Sequence, residues 1–231
     1  RPGMLCGART VLEPLSKQRR FEYAAEVWTM LGQCRLAEKD YPAAAEACLE
    51  VTRNYADHAL ADDATALAVE SLFRAGQHED ASRWAATFEQ KWPASPLRDR
   101  VDYFHSLAEM GTAHYARAAK LLEELLNRAP QGPFSEHAAL LAAQCNQREN
   151  IPAKAARWYR QILERNESPY LNDGLLGAAV LARDMGELDE AAKLLKRLIA
   201  RKAPEELAQN AHFQLALVYF DQQQYDAALP E

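Results

Sequence analysis

One alanine position recurs along this chain at a nearly constant interval, and this repeat constrains the fold more than any other feature. Six residues occupy the position, at intervals of 37, 37, 37, 36 and 37 residues: Ala44, Ala81, Ala118, Ala155, Ala191 and Ala228. In most units apolar residues follow at i+4 and i+7, which places them on one face of a helix. A constant period in this range indicates one structural unit stacked on copies of itself.

Each unit combines two apolar stretches with a turn signal between them. A small residue such as Gly32 lies twelve positions before the repeated alanine, and a turn such as Gly76-Gln77-His78 separates the stretches. Small residues let two helix backbones approach closely, and a short turn makes the helices antiparallel. We therefore predict an all-α chain of helical hairpins without β-sheet, in which Ala118 and Ala191 are fully buried.

Two stretches resemble a known repeat family. Trp28-x-x-Leu31-Gly32, followed by Asp40-Tyr41-x-x-Ala44, and the run from Gly186 to Ala191 resemble the tetratricopeptide repeat. That resemblance implies a right-handed superhelical solenoid of antiparallel helical hairpins, whose first helices line a concave groove. The period of 36–37 residues exceeds the usual 34. The longer unit resembles repeats of bacterial cell-envelope proteins, such as the Tol-Pal coordinator and the outer-membrane assembly lipoprotein.

The repeat count divides the whole chain, 1–231, into one solenoid. Residues 1–20 are interpreted as the second helix of an earlier repeat. The repeats then span 21–57, 58–94, 95–131, 132–167 and 168–204, and 205–231 is a truncated repeat. This predicts a lone N-terminal helix followed by eleven more. Because both ends cut through hairpins, we expect the chain to be part of a longer array.

Pairs ending in proline stand at three repeat junctions: Ser95-Pro96, Gly132-Pro133 and Ser168-Pro169. Serine is favoured at the N-cap of a helix, and proline is favoured at the first helical position. The pairs therefore predict that the three added residues lengthen the first helix of each hairpin by one turn.

Composition and motifs exclude several classes of function. The net charge is −6 with scattered basic residues, so we expect no nucleic-acid partner. No apolar run reaches the length of a membrane span, so no direct membrane insertion by this stretch is expected. Glycine-rich phosphate loops, H-E-x-x-H and G-x-S-x-G are absent from the sequence. We therefore predict no enzyme activity, no cofactor and no metal. The compartment stays open between bacterial periplasm or cell envelope and cytoplasm.

Four cysteines, Cys6, Cys34, Cys48 and Cys145, lack C-x-x-C spacing and companion histidines. The favoured interpretation is buried free thiols that act as small hydrophobic groups. A disulfide between Cys34 and Cys48 is the alternative in an oxidising compartment.

Asp102, His105 and Glu109 are an unusual polar set at i, i+3 and i+7. On one helix face they could hold a metal ion or form a proton relay. The competing interpretation is a shift of register by one residue. Val101, Phe104 and Ala108 then form the apolar stripe, and the polar set points outward.

The resemblance also assigns positions to the concave groove. Aromatic, apolar and arginine side chains at these positions are typical of interfaces that bind an extended peptide or a helix, with a preference for carboxylate-bearing segments. The candidate partner-binding residues are Phe73, Arg100, Tyr103, Leu107, Leu140, Gln144, Arg148, Arg183, Phe213 and Phe220. Only Arg100 fits the Lys, Asn and Arg clamp by which relatives grip acidic C-terminal tails, so such tails are not expected partners.

Two functions follow from this sequence. The first is a non-enzymatic scaffold that binds a protein or peptide partner in its concave groove and forms part of a larger bacterial protein, of the cell envelope if the resemblance holds. The second is a spacer or oligomerisation module of a longer protein, with possible self-association. A self-complementary edge would favour the second function.

Overall fold

The computed structural model describes residues 2–16, 22–201 and 203–228. These residues form thirteen α-helices and no β-strand, which confirms the all-α prediction. The helices are α1 (Pro2–Ser16), α2 (Ala24–Ala37), α3 (Tyr41–Asn54), α4 (Ala61–Arg74), α5 (His78–Lys91), α6 (Arg98–Gly111), α7 (Tyr115–Arg128), α8 (Ser135–Arg148), α9 (Pro152–Leu163), α10 (Leu171–Asp184), α11 (Leu188–Ala200), α12 (Glu205–Asp221) and α13 (Tyr225–Ala228). The count exceeds the predicted twelve because residues Tyr225–Ala228 form the short helix α13. No helix of the described chain is both long and apolar enough to cross a membrane.

The chain forms two compact units, Arg1–Leu121 and Leu122–Glu231. In the first unit each helix from α1 to α6 packs on the next, and α4 also packs on α2 and α6. In the second unit the same order runs from α8 to α13, and α10 also packs on α8 and α12. Consecutive hairpins therefore stack on one another, as the sequence period predicts. The division into one continuous series of repeats stays a prediction.

The repeated alanine marks the helix crossings. Five of the six alanines are 0% exposed: Ala44, Ala81, Ala118, Ala155 and Ala191. The sixth, Ala228, is half-buried in α13. Larger apolar residues four and seven positions later, such as Leu122 and Leu125, are buried as well. The prediction for Ala118 and Ala191 is confirmed, because the small side chain lets the two helices of a hairpin touch.

The same backbone turn closes every hairpin. One residue in each turn has a positive φ of 57–77°, and these residues recur with the period of the alanines: Lys39, Gly76, Ala113, Asn150, Gly186 and Gln223. In the first turn the N–H of Asp40 donates to the carbonyl of Arg35, and the N–H of Lys39 donates to that of Leu36. These two bonds define the Schellman motif, which ends a helix by placing one residue in the left-handed region. Glycine takes this position in two of the six turns.

The prolines at the repeat junctions do not begin helices, so that prediction is wrong. Helices α6, α8 and α10 start at Arg98, Ser135 and Leu171, two residues after each proline, and all have 14 residues. The added residues form a turn instead of lengthening the helix. Proline favours this outcome because its fixed φ suits the second position of a tight turn.

Side chains in these junction turns also tie neighbouring repeats together. The Ser95 hydroxyl accepts from the N–H of Leu97 at 3.2 Å and donates to the Asp62 carboxylate of α4 at 2.8 Å. Ser168 makes the equivalent contact with Glu136 of α8 at 2.8 Å. The serine hydroxyl thus forms hydrogen bonds both with the backbone of the turn and with a carboxylate of the preceding repeat. The turn that lengthens the period therefore also links neighbouring repeats.

Candidate partner-binding face and buried polar cluster

The first unit brings four of the predicted partner-binding residues onto one surface. Arg100, Tyr103 and Leu107 lie at i, i+3 and i+7 of α6, and each is partly exposed. Phe73, at the end of α4, is also partly exposed, and its ring centroid lies 5.8 Å from that of Phe104. We call the surface formed by Phe73, Arg74, Arg100, Tyr103 and Leu107 the α4–α6 face.

The aromatic side chains of this face are anchored in the core beneath them. Phe104 is 7% exposed, and the ring of Tyr103 meets it edge-on with centroids 5.3 Å apart. Phe73 and Tyr103 therefore pack between repeats and still present part of each ring to solvent. Rigid aromatic groups of this kind lose little entropy when a partner covers them.

The Arg100 guanidinium is engaged by an internal carboxylate. Glu70 has a side chain 9% exposed, and its Oε2 accepts from Arg100 Nε at 3.0 Å. Its other oxygen accepts from Arg74 Nε at 2.8 Å. Two guanidinium groups therefore share one carboxylate, and the Asp63 carboxylate also interacts electrostatically with Arg100. The Arg74 guanidinium also lies 5.8 Å from the centre of the Phe104 ring.

The other predicted binding residues lie in the second unit, and the structure places them in different environments. Leu140 is 4% exposed and offers little surface to a partner. Arg183 donates from Nε to the Asp221 carboxylate at 2.7 Å. Gln144 is half-buried, and Arg148 is exposed near the end of α8. The last two, Phe213 and Phe220, are 59% and 60% exposed on α12.

The set Asp102, His105 and Glu109 is buried, so the interpretation that turns these residues outward is wrong. The three residues are only 2%, 1% and 1% exposed. The alternative stripe is buried too, with Val101 and Ala108 at 0%. Both stripes are covered because α6 packs on α4 and also on α5.

His105 is the centre of a hydrogen-bonded cluster between α5 and α6. Its Nδ1 lies 2.9 Å from Glu89 Oε1, and its Nε2 lies 3.1 Å from Ser82 Oγ and 3.3 Å from Glu109 Oε1. The Ser82 hydroxyl donates to Glu109. Ser82 and Glu89 could not be singled out in the sequence, because they lie on the preceding helix and follow no distinguishing pattern.

Glu109 also links the cluster to the next turn and helix. Its Oε2 lies 3.1 Å from His114 Nδ1, and its Oε1 lies 3.3 Å from a terminal nitrogen of Arg117. Nearby, Arg98 Nε lies 3.5 Å from Asp102 Oδ2. The cluster therefore joins α5, α6 and α7 within the first unit.

The order Ser82, His105 and Glu89 matches the connectivity of a serine–histidine–acid triad. The hydroxyl proton of Ser82, however, is directed at the Glu109 carboxylate. A carboxylate at that place opposes the negative charge that develops during nucleophilic attack. The arrangement consequently favours cross-linking of helices over catalysis. Among the described residues, no group of His, Cys, Asp and Glu has the geometry to hold a metal ion.

The cluster shifts the pKa of two carboxyl groups below the ordinary value. For Glu89, the hydrogen bond from His105 lowers the pKa, and this outweighs partial burial. For Glu109, burial by itself raises the pKa, but the hydrogen bond from Ser82 and the charges of Arg117 and His105 together lower it. Both carboxylates are thus held in the charged form by their neighbours.

These shifts predict a pH dependence of stability. A carboxyl group whose pKa is lower in the folded state contributes stability above its unfolded pKa and loses it as the pH falls through the folded pKa. The free energy of unfolding should therefore fall as the pH drops below the ordinary glutamate value of 4.5. Urea unfolding at a series of pH values measures this dependence.

The matched variant for the pH experiment is Glu89→Gln with Glu109→Gln, which removes both titrating groups. Its stability should change less between neutral and acid pH than that of the wild type. An equally steep fall in both proteins would mean that other groups control acid unfolding.

The cysteine side chains that the structure describes are buried and form no disulfide bond. Cys34, Cys48 and Cys145 are free thiols, which confirms the favoured interpretation for these three, and Cys6 lies outside the described side chains. Burial raises the pKa of Cys48 and Cys145 to about 12. Both thiols therefore stay protonated and act as apolar groups in the core.

Comparison with known proteins identifies the family. The family model described as Tetratricopeptide repeat matches residues 7–59, 105–169 and 176–231, which is most of the chain. The chain belongs to the tetratricopeptide repeat family. A comparison with curated protein sequences gave no significant match.

Several solved structures share the fold. A tetratricopeptide repeat protein from Parabacteroides merdae is 16% identical, with a TM-score of 0.71 over 89% of this chain and 76% of its own. MamA of AMB-1 is 20% identical, with a TM-score of 0.61 over 75% of this chain and 88% of its own. A putative kinesin light chain with TPR-like repeats from Podospora anserina is 16% identical, with a TM-score of 0.66 over 80% of this chain and 98% of its own. At these identities the likeness concerns the fold alone.

Proposed function

We propose that this chain is a non-enzymatic scaffold and that a protein partner docks on the α4–α6 face. Tetratricopeptide repeats generally mediate protein–protein interactions, and the chain belongs to that family. The observation that supports this particular face is the partly exposed pair Tyr103 and Leu107 beside the partly exposed Phe73. An anchored aromatic group next to an aliphatic one is the usual composition of an interface hot spot.

The charge of the face favours one class of partner. Arg74 and Arg100 bring two guanidinium groups to the face, where they share the Glu70 carboxylate, although the whole chain carries −6. Guanidinium groups on an acidic protein attract carboxylate-bearing segments. Such charges act on the orientation and the rate of encounter more than on the affinity. We infer that the partner segment combines apolar anchors with a carboxylate.

A capture experiment tests this proposal. Wild-type protein and the variant Tyr103→Ala with Leu107→Ala are used as bait for proteins of the native organism. Truncating hot-spot residues costs about 2 kcal/mol or more of binding free energy, so the affinity for a bound partner should fall about 30-fold. Both substituted residues are partly exposed, so the fold should persist, and a thermal melt checks this.

The matched control replaces two exposed apolar residues outside the face, Ile151→Ala and Met185→Ala, which are 41% and 47% exposed. The control should retain every partner. If the Tyr103 and Leu107 variant stays folded and also retains every partner, docking on the α4–α6 face is wrong. The roles of Leu140, Gln144, Arg148 and Arg183 in binding stay predictions.

A further inference from the structure

The two guanidinium groups of the α4–α6 face differ in how the protein itself uses them. Arg100 directs Nε and a terminal nitrogen to the same oxygen of Glu70, and its side chain is 31% exposed. The Asp63 carboxylate interacts with Arg100 as well. Arg100 is therefore paired with two carboxylates of its own chain.

Arg74 is more open to solvent than Arg100. It donates to Glu70 through Nε, at 2.8 Å, and 44% of its side chain is exposed. The Tyr41 hydroxyl is a further hydrogen-bond acceptor beside it. The contact with Glu70 leaves the edge between the two terminal nitrogens of Arg74, and such an edge can pair with both oxygens of a carboxylate.

Contacts within the chain hold the Arg74 side chain in place. The Glu70 carboxylate that fixes its Nε is only 9% exposed. The guanidinium carbon also lies 5.8 Å from the centre of the ring of Phe104, a residue that is 7% exposed. A side chain that is ordered before binding loses less conformational entropy when a partner contacts it. Glu70 thus acts as a positioning residue for Arg74.

We propose that Arg74, and not the predicted Arg100, binds the carboxylate of the partner segment. The inference rests on the proposed function, because Phe73 and Tyr103 supply the apolar contacts of the same face. The carboxylate belongs to an Asp or Glu side chain of that segment. A terminal carboxylate is disfavoured, because Arg100 is the one match to the clamp for such groups and is paired with Glu70.

The probe for this proposal is a library of random peptides displayed on phage, each fused through its C-terminus. Selection on the wild-type chain should enrich peptides in which an Asp or Glu stands at a fixed distance from an apolar residue. One enriched peptide is synthesised with a C-terminal amide, and a second version carries Asn or Gln in place of the acid. Fluorescence anisotropy measures the Kd of both peptides.

The two peptides and two arginine variants form double-mutant cycles. On the wild type the amide version should bind about tenfold more weakly, since it lacks a charge-assisted hydrogen bond. On Arg74→Gln the two peptides should bind equally, because the group that distinguishes them is gone. On Arg100→Gln the tenfold difference should persist. Each cycle cancels a general change in the charge of the face.

Arg53→Gln is the matched control. The Arg53 side chain is 46% exposed and lies 3.0 Å from the Glu46 carboxylate on α3, so it resembles Arg74 in exposure and pairing. This variant should bind both peptides like the wild type. A thermal melt checks that each variant is folded. If Arg100→Gln does not fold, Arg100→Lys replaces it, because lysine keeps a charge beside Glu70.

Three results would overturn the inference. The first is a preference for the acidic peptide that survives in Arg74→Gln, and the second is a preference that disappears in the Arg100 variant. The third is a selection that enriches no peptide with a carboxylate at a fixed place. Failure of the proposed function is a separate result, in which enriched peptides bind Tyr103→Ala with Leu107→Ala as tightly as the wild type.

Discussion

Replacing Glu109 by alanine should lower the free energy of unfolding by about 3 kcal/mol, since removing one member of a buried charged cluster leaves its partners unsatisfied. The Glu109 carboxylate is 1% exposed and accepts from Ser82, and it contacts His105, His114 and Arg117. Alanine leaves these groups around a cavity without a common acceptor. Denaturant unfolding with linear extrapolation measures the change.

Two comparisons make the Glu109 experiment specific. Glu109→Gln keeps an oxygen for the Ser82 hydroxyl but removes the charge, so it should cost less than alanine. Glu164→Ala removes an exposed carboxylate from the C-terminus of α9 and should change stability by less than about 0.5 kcal/mol. A loss below about 1 kcal/mol for Glu109→Ala would show that the cluster contributes little to the fold.

Replacing Gly32 by valine should destabilise the protein by about 2 kcal/mol, because extra volume at a closed helix crossing forces the helices apart. A Cβ at Gly32 would lie 2.3 Å from the Cys48 sulfur and 3.4 Å from the Ala44 carbonyl oxygen. The Cys48 sulfur is bonded directly to its own Cβ, so it could move away from the new side chain only by a change of χ1. Thermal and urea unfolding of the variant measure the loss.

The next repeat supplies the matched control for Gly32. There the equivalent positions hold Val69 and Ala85, which share one buried cluster. The large and the small residue have exchanged places relative to Gly32 and Cys48. Gly32→Val combined with Cys48→Ala recreates this pair and should recover most of the stability that Gly32→Val loses. A double variant less stable than Gly32→Val would contradict this account of the crossing.

Much of the fold could be predicted from the repeat alone. A helix crossing needs a small side chain, and a hairpin turn needs one residue in the left-handed region. Both requirements return once in every unit, so Ala118 and Ala191 could be placed in the core before any coordinates were known. The structure at the junction prolines was harder to predict, because Ser95-Pro96 fits the sequence preferences of a helix start and of a tight turn equally well. The contact between Ser95 and Asp62 selected the turn.

The candidate site was less predictable, because its members come from different helices. The spacing of Asp102, His105 and Glu109 showed that they share a helix face but could not show what covers that face. Tyr103 and Leu107 are partly exposed, and their role in binding stays a prediction. The ion pair of Arg100 with Glu70 could be found only once the neighbouring helix was known.

The hairpin unit, its period and its turns follow from the sequence, since these depend on local conformation and on side-chain size within one helix pair. The tertiary structure decided the environment of each polar face. Helix α6 is covered on both sides, by α4 and by α5, so its second stripe could not reach solvent. His105 and Glu109 therefore had to find partners inside the protein, because a buried polar group without a hydrogen bond is costly.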